Sequence, residues 1–263
     1  MFDPAARSAY GHAASGWASG PERVYRLLGE ALLRTAPVPV FGALLVDVGA
    51  GTGVVGDVAT ALGARCIEAD VALEMLAQRR HRPRRAVAAD GHRLPFRPAT
   101  FDVVTAACSL SHLDEPAALV AEARRILRPG GVLLASAFTA TPDPHPVRAY
   151  VEDTLAAHGY RPPSWYVRLR ETGERRVETP DALAALGRAA GLDVEVRELV
   201  VETGISAPDA LVDYRLGMAQ HAEFLATLDA ATRETVRATA ITRLGEAPPA
   251  LVLDLLALVA RAR

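Results

Sequence analysis

Asp47-Val48-Gly49-Ala50-Gly51-Thr52-Gly53 sets one carboxylate ahead of three glycines at alternate positions. Glycine has no side chain to hold a ligand off and adopts backbone angles that other residues avoid. Such a turn can bring main-chain N–H groups close to a nucleotide-like molecule. Gly51-Thr52-Gly53-Val54-Val55-Gly56 also spells G-x-G-x-x-G, and Asp70 follows 19 residues after Gly51. That spacing approaches a dinucleotide site, where a pyrophosphate meets a helix N-terminus and the acid meets a ribose. The pattern alone does not separate NAD from other nucleotide-like ligands. Cys66 and Cys108 are the only cysteines and lack C-x-x-C spacing, so no metal framework is expected.

These residues need elements to position them. Leu44 to Val48 is an apolar run that reads as a buried strand feeding the turn. Val54, Val58 and Leu62 then recur at helical spacing, and Gly63 supplies a stop. Arg65 to Ala69 is a second strand, Leu73 to Arg80 a helix, and Ala86 to Ala89 and Phe101 to Ala107 two further strands. Leu119, Ala123 and Ile126 mark the next helix, which Arg128-Pro129-Gly130-Gly131 is expected to end as a turn before a fifth strand, Val132 to Ala135. Strands alternating with helices predict an α/β fold: a doubly wound, Rossmann-like, seven-stranded and mostly parallel sheet with helical lid insertions.

The flanking segments read as covers. Val24, Leu27, Leu28, Ala31 and Leu32 form a helical stripe near the N-terminus. Thr139 to Pro146 is a proline-rich loop, a helix runs on to about His158, and Arg161 to Glu178 is expected to be irregular. Thr179-Pro180-Asp181 has the chemistry of a helix start, and Gly191 of its end. Leu192 to Val201 alternates as a strand, Ser206 to Leu244 is mostly helical, and Leu251 to Ala260 fits either helix or strand. The expected organisation is a single domain, 1–263, with a helical arm (1–36), a ligand-binding core (42–138) and substrate-covering insertions (139–178 and 205–247).

Half of the residues are apolar, 23% are charged and the formal net charge is −2. A sizeable core can form, and a general nucleic-acid or anionic-membrane binder is disfavoured. Arg79, Arg80, Arg82, Arg84 and Arg85 make one basic cluster, read as a solvated helix end or, alternatively, an RNA or phosphate contact. No targeting segment and no membrane-spanning run stands out, which leads to the expectation of a cytoplasmic protein; its oligomeric state is left open between monomer and homodimer.

Five elements between Leu44 and Ser136 resemble the class I S-adenosylmethionine-dependent methyltransferases, in particular their small-molecule, UbiE-like (type 11) group. They are Asp47 to Gly53, Glu68 to Leu76, Ala89 to Phe96, Phe101 to Val104 leading to Leu113, and Arg125 to Gly131. The resemblance implies S-adenosylmethionine as cofactor and a methyl transferred to a small-molecule acceptor. It implies that Gly49, Ala50, Gly51 and Gly53 pass beneath the methionine and ribose, with Asp47 near the methionine amine. Asp70 would accept the ribose hydroxyls, Val71 pack on the adenine, Asp90 and Gly91 meet its edge, and the Cys108 carbonyl meet the amine. Tyr10 and Trp17 would belong to a cofactor-covering arm. Each has a structural alternative: Asp47 capping a turn, Asp70 capping a helix with Glu68 as the ribose ligand, Asp90 an ordinary loop acid, Cys108 a small buried residue.

His112 is the candidate catalytic residue, because it follows the fourth strand beside the expected methyl path; the alternative is a hydrogen-bonded structural histidine. Tyr10, Trp17, His145, Tyr150, Trp165, Tyr166, Tyr214 and His221 fall in the covers and suggest an enclosed pocket for an aromatic or polyketide-like acceptor, with the methyl going to oxygen or carbon. No Asn-Pro-Pro-Tyr-like segment follows the fourth strand, which disfavours methylation of nucleic-acid amines. A methyltransferase-fold enzyme catalysing a non-methylating step such as cyclisation stays as the alternative, and a noncatalytic binding subunit as a third reading.

Overall fold

In a computed structural model that describes residues 3–78, 85–140 and 145–263, seven strands form one sheet. They are β1 (Leu44–Val48), β2 (Arg65–Asp70), β3 (Arg85–Ala88), β4 (Phe101–Ala106), β5 (Leu127–Phe138), β6 (Asp193–Glu202) and β7 (Val252–Arg261). Their order is β3-β2-β1-β4-β5-β7-β6. β1 to β5 pair in parallel, and β7 runs antiparallel between β5 and β6. The described helices are α1 (Pro4–Ser19), α2 (Pro21–Leu33), α3 (Val54–Ala61), α4 (Leu73–Ala77), α5 (Pro116–Ile126), α6 (Val147–Ala157), α7 (Ser164–Arg168), α8 (Pro180–Ala189), α9 (Pro208–Leu216), α10 (Ala219–Thr227) and α11 (Ala230–Leu244). The strand order reverses beside β1, which opens a crevice at the C-terminal ends of β1 and β4.

The apolar runs explain the centre of the sheet. Leu45, Val46, Val103, Val104, Leu133 and Leu134 are wholly buried, as strands covered on both faces require. The segment that fitted either helix or strand is β7, because its neighbours β5 and β6 satisfy its backbone on both edges. Arg128-Pro129-Gly130-Gly131 is not a turn ahead of the fifth strand. α5 ends at Ile126, the chain enters β5 at once, and the four residues form a bulge between the pairs Phe101↔Leu127 and Val103↔Val132. Gly130 has φ +81°, and the bulge is held by the Arg128 guanidinium donating to Asp102 Oδ2 at 2.7 Å, an oxygen that also accepts the Leu44 N–H at 2.7 Å.

The covers are more ordered than expected. Arg161 to Glu178 is not irregular: α7 continues into a wide helical turn over Leu169–Gly173 and a tight one over Glu174–Arg176. At Gly173 a Cβ atom would lie 2.2 Å from the Ser111 carbonyl oxygen, so only glycine lets this segment sit on the loop after β4. Thr179 Oγ1 accepts the Ala182 N–H and starts α8 as anticipated. α1 buries Ala6, Ala9 and Ala13, small side chains that let it lie close to α10 at Ala219. α6, α9 and α11 share a separate apolar cluster with Val24 of α2. Arg79, Arg80, Arg82 and Arg84 of the basic cluster, and Pro142 and Pro144 of the proline-rich loop, lie outside the described residues; Arg85 is an exposed residue of β3. Among the described residues no helix is long and apolar enough to cross a membrane.

Candidate functional site

A cleft at the C-terminal ends of β1, β2 and β4 encloses about 1040 Å³ of empty space, mouth included. Its base is the turn after β1, where Gly49, Gly51 and Gly53 have φ of +74°, +57° and +77°. A Cβ at Gly49 would stand 2.7 Å from Ser109 Cβ, and one at Gly51 3.3 Å from Met75 Cε. Glycine is therefore required twice over, by angle and by space. The Gly49, Ala50 and Gly51 N–H groups do not point into the cleft, contrary to the sequence expectation. Gly49 and Ala50 donate to the Ala69 carbonyl at 2.8 and 3.1 Å, and Gly51 donates to Asp70 Oδ2 at 2.7 Å. With these donors already bonded, the turn is no ready nest for a pyrophosphate.

Two carboxylates face this space. Asp70 ends β2, with Oδ2 on the Gly51 N–H and Oδ1 on the Ala72 N–H at 2.8 Å. Burial raises its carboxyl above the usual range, against the opposing pull of these N–H groups. Each oxygen keeps a further lone pair. Glu68, the other acid of β2, is wholly buried next to Gly56 of α3, away from the cleft. Asp90 Oδ1 accepts both the His92 N–H (2.9 Å) and His92 Nδ1 (2.6 Å). Partial burial works to raise the Asp90 carboxyl, but the His92 backbone and ring hold it below the usual range.

The roof is aromatic and comes from the arm. Tyr10 and Trp17 of α1 and Tyr25 of α2 line the cleft, with ring centroids 5.8 Å apart from Tyr10 to Trp17 and 4.7 Å from Trp17 to Tyr25. Below them, Cys108 takes φ +52°, a left-handed conformation costly for a residue with a side chain. Burial pushes its thiol up to about 11, so it stays protonated. His112 follows in a tight helical turn, Leu110–His112. Its Nε2 lies 3.2 Å from the Tyr10 hydroxyl, which donates when the ring carries its proton on Nδ1. Burial pushes the imidazole down to about 4 and raises the Tyr10 phenol, so both are neutral near pH 7.

All but two of the residues expected at the site line this one cleft. Asp47 is 1% exposed beneath the turn, its Oδ1 accepting from Thr105 Oγ1 at 2.7 Å. Gly53 caps α3 behind the cleft, its N–H donating to the Ala50 carbonyl at 2.7 Å. His145, Tyr150, Trp165, Tyr166, Tyr214 and His221 do not line it. Sequence reasoning missed Ser109, Ala107 and Leu28, which carry no motif. Met75 also lines the cleft; the Met-Leu pair after β2 was a usable signal for it.

Residues 46–135 match the family model described as a methyltransferase domain. A demethylmenaquinone methyltransferase of Corynebacterium urealyticum is 35% identical over 138 residues, covering 52% of this chain and 58% of the relative. This chain therefore spans less than two thirds of that relative. A demethylmenaquinone methyltransferase of Parafrankia is 34% identical over 180 residues, covering 60% of this chain and 68% of the relative. Among solved structures, phosphoethanolamine N-methyltransferase 2 of Haemonchus contortus, in complex with S-adenosyl-L-methionine, superposes with a TM-score of 0.55 at 18% identity over 89% of this chain and 52% of that one.

Proposed function

Because this chain belongs to the class I S-adenosylmethionine-dependent methyltransferases, we propose that it transfers a methyl group to a small-molecule acceptor of aromatic or polyketide type, at oxygen or carbon. The observation that carries this reading is the cleft itself: a glycine floor whose Gly49, Ala50 and Gly51 N–H groups are already bonded within the protein, two carboxylates at its edge, and an aromatic roof that leads to His112. S-adenosylmethionine fits such a site because it has a cationic tail, a ribose diol and an adenine, but no pyrophosphate. NAD fits it poorly for the same reason. The relatives' name, demethylmenaquinone methyltransferase, supports an acceptor with an aromatic, quinone-type ring.

When bound, S-adenosylmethionine supplies an electrophilic methyl group on a sulfonium. Asp70 would accept the two ribose hydroxyls, its carboxylate held in place by Gly51 and Ala72. Val71 would pack on the adenine, Asp90 and Gly91 would meet its edge, and the Cys108 carbonyl would accept from the methionine amine. Asp47, which does not border the cleft, acts as a positioning residue through Thr105 and the turn. Tyr10 and Trp17 close over the cofactor and keep water out.

His112 and Tyr10 stand where the acceptor meets the methyl path. An imidazole held neutral down to about pH 4 is a weak base. It orients an acceptor hydroxyl, and takes its proton only as that oxygen gains positive character during transfer. The larger share of the rate comes from alignment, worth up to ~7–11 kcal/mol in well-oriented systems.

Calorimetry with S-adenosylhomocysteine and with NAD tests the cofactor, and incubation with methyl-labelled S-adenosylmethionine and aromatic hydroxy acceptors tests the reaction. The expected result is binding of the former alone and label in the product. Binding of NAD alone overturns the reading, as does product formed without label, which is the outcome a cyclase would give.

A further inference from the structure

The covers bury a cation that the sheet does not use. Arg215 of α9 is 8% exposed. One amino group of its guanidinium lies 3.4 Å from Glu152 Oε1, a long contact to an oxygen that Arg148 Nε holds more closely at 3.1 Å. Its Nε–H has no partner. The guanidinium stands 5.9 Å from the Tyr214 ring centroid and near the Tyr166 hydroxyl. Two guanidinium groups thus share one carboxylate, and Glu152 and Arg148 are half-buried while Arg215 is buried, so the buried cation has only a distant, partly solvated counter-charge.

Other buried polar atoms of the covers also lack partners. Trp165 Nε1, Gln220 Nε2 and His221 Nε2 have no partner, on residues that are at most 5% exposed. His221 Nδ1 lies 2.9 Å from the Arg215 carbonyl and donates to it, which leaves Nε2 as a bare acceptor. A bridging water could serve one or two of these atoms. It would not neutralise the charge of Arg215.

The cluster adjoins the cleft. Tyr10 lines the cleft and its ring lies 6.2 Å from that of Trp165, which in turn packs 5.8 Å from Tyr166. Tyr25 also lines the cleft; burial raises its phenol, and the charge of Arg215 works in the opposite direction. We propose that Arg215, flanked by Tyr166 and Tyr214, is the subsite for an ionised oxygen of the methyl acceptor, a phenolate or enolate. This rests on the methyl-transfer reading and deepens it. A buried guanidinium favours the ionised form of an acidic hydroxyl. The ionised oxygen then activates the acceptor for transfer, and only a proton elsewhere on the acceptor is left for a base as weak as His112. The tyrosine rings give the same subsite its aromatic walls.

The test uses the full chain loaded with S-adenosylhomocysteine and para-nitrophenol as the probe, at a pH where the free probe is mostly un-ionised. The expected result is phenolate absorbance from the bound probe, and binding about tenfold or more tighter than that of the uncharged analogue para-nitroanisole. Arg215→Gln should lose both signals while still binding S-adenosylhomocysteine, and Arg215→Lys should keep part of them. Equal affinity of the wild type for the two probes overturns the proposal, as does a bound probe that stays un-ionised or an Arg215→Gln protein that behaves as wild type. If Arg215→Gln fails to fold, the wild-type comparison of the two probes decides alone. Failure of the wild type to bind S-adenosylhomocysteine instead counts against the methyltransferase reading itself.

Discussion

Asp70 does two jobs with one carboxylate. It ties the glycine turn to the end of β2 through the Gly51 and Ala72 N–H groups, and it offers its remaining lone pairs to the cleft. Asp70→Ala should therefore weaken S-adenosylhomocysteine binding by about 2–3 kcal/mol, since a charged acceptor is lost; calorimetry measures it, and a near-wild-type affinity would assign the ribose to another residue. His112 carries the chemistry without holding the cofactor. His112→Ala should lower kcat by ~10²–10⁴-fold and leave S-adenosylhomocysteine affinity unchanged. A variant that loses cofactor binding in proportion to activity would make His112 structural. Tyr10→Phe keeps the ring over the cleft and removes only the hydroxyl 3.2 Å from Nε2, so its effect should appear in kcat rather than in cofactor binding.

At the scale of elements, one glycine sets how the cover meets the core. The turn over Leu169–Gly173 sits on the loop after β4, and a Cβ at Gly173 would meet the Ser111 carbonyl oxygen at 2.2 Å. The clash is with main chain, which cannot swing aside as a side chain can. Gly173→Val should push this cover off the Leu110–His112 turn, raising KM for the acceptor several-fold while S-adenosylhomocysteine binds as before. Steady-state kinetics alongside calorimetry checks it, and unchanged kinetics would mean the cover has no part in acceptor binding. The aromatic and arginine content of Arg161 to Glu178 does not reveal these helical turns. They form because Gly173 permits the approach and Trp165 buries itself against α1, neither of which is a local property.

At the scale of the whole molecule, acid should loosen the fold through its buried histidines. Burial pushes His221 down to about 3, with Arg215 adding to the effect, and His112 down to about 4. In the unfolded chain both titrate near ~6.5. Between these values the unfolded state binds more protons, so stability rises with pH across that window and is lost as pH falls through it. By about pH 5, roughly 1.5 units below the unfolded value, the loss should be a few kcal/mol, with no effect above about pH 7. Urea unfolding at about pH 7.5 and about pH 5 measures it, and His221→Gln should reduce the difference. Equal stability at the two pH values would mean that His221 is not buried neutral.

The sequence by itself determined the parallel core and the edge of the cleft. Buried strands write their apolar runs locally, and a turn that needs φ above zero writes its glycines. Asp70, Asp90, Cys108 and His112 were legible because each follows a recognisable strand. Tertiary structure decided what local signals do not encode. It turned the N–H groups of the glycine turn onto Ala69 and Asp70, set Glu68 under α3, and put Asp47 on Thr105 beneath the turn. It also made β7 a strand by flanking it on both sides, and gathered Tyr10, Trp17 and Tyr25 over a cleft built far along the chain. The physical reason is common to all of these. Backbone angles and apolar periodicity are properties of a few consecutive residues, whereas the direction of a hydrogen bond and the burial of a charge depend on which distant element arrives to meet them.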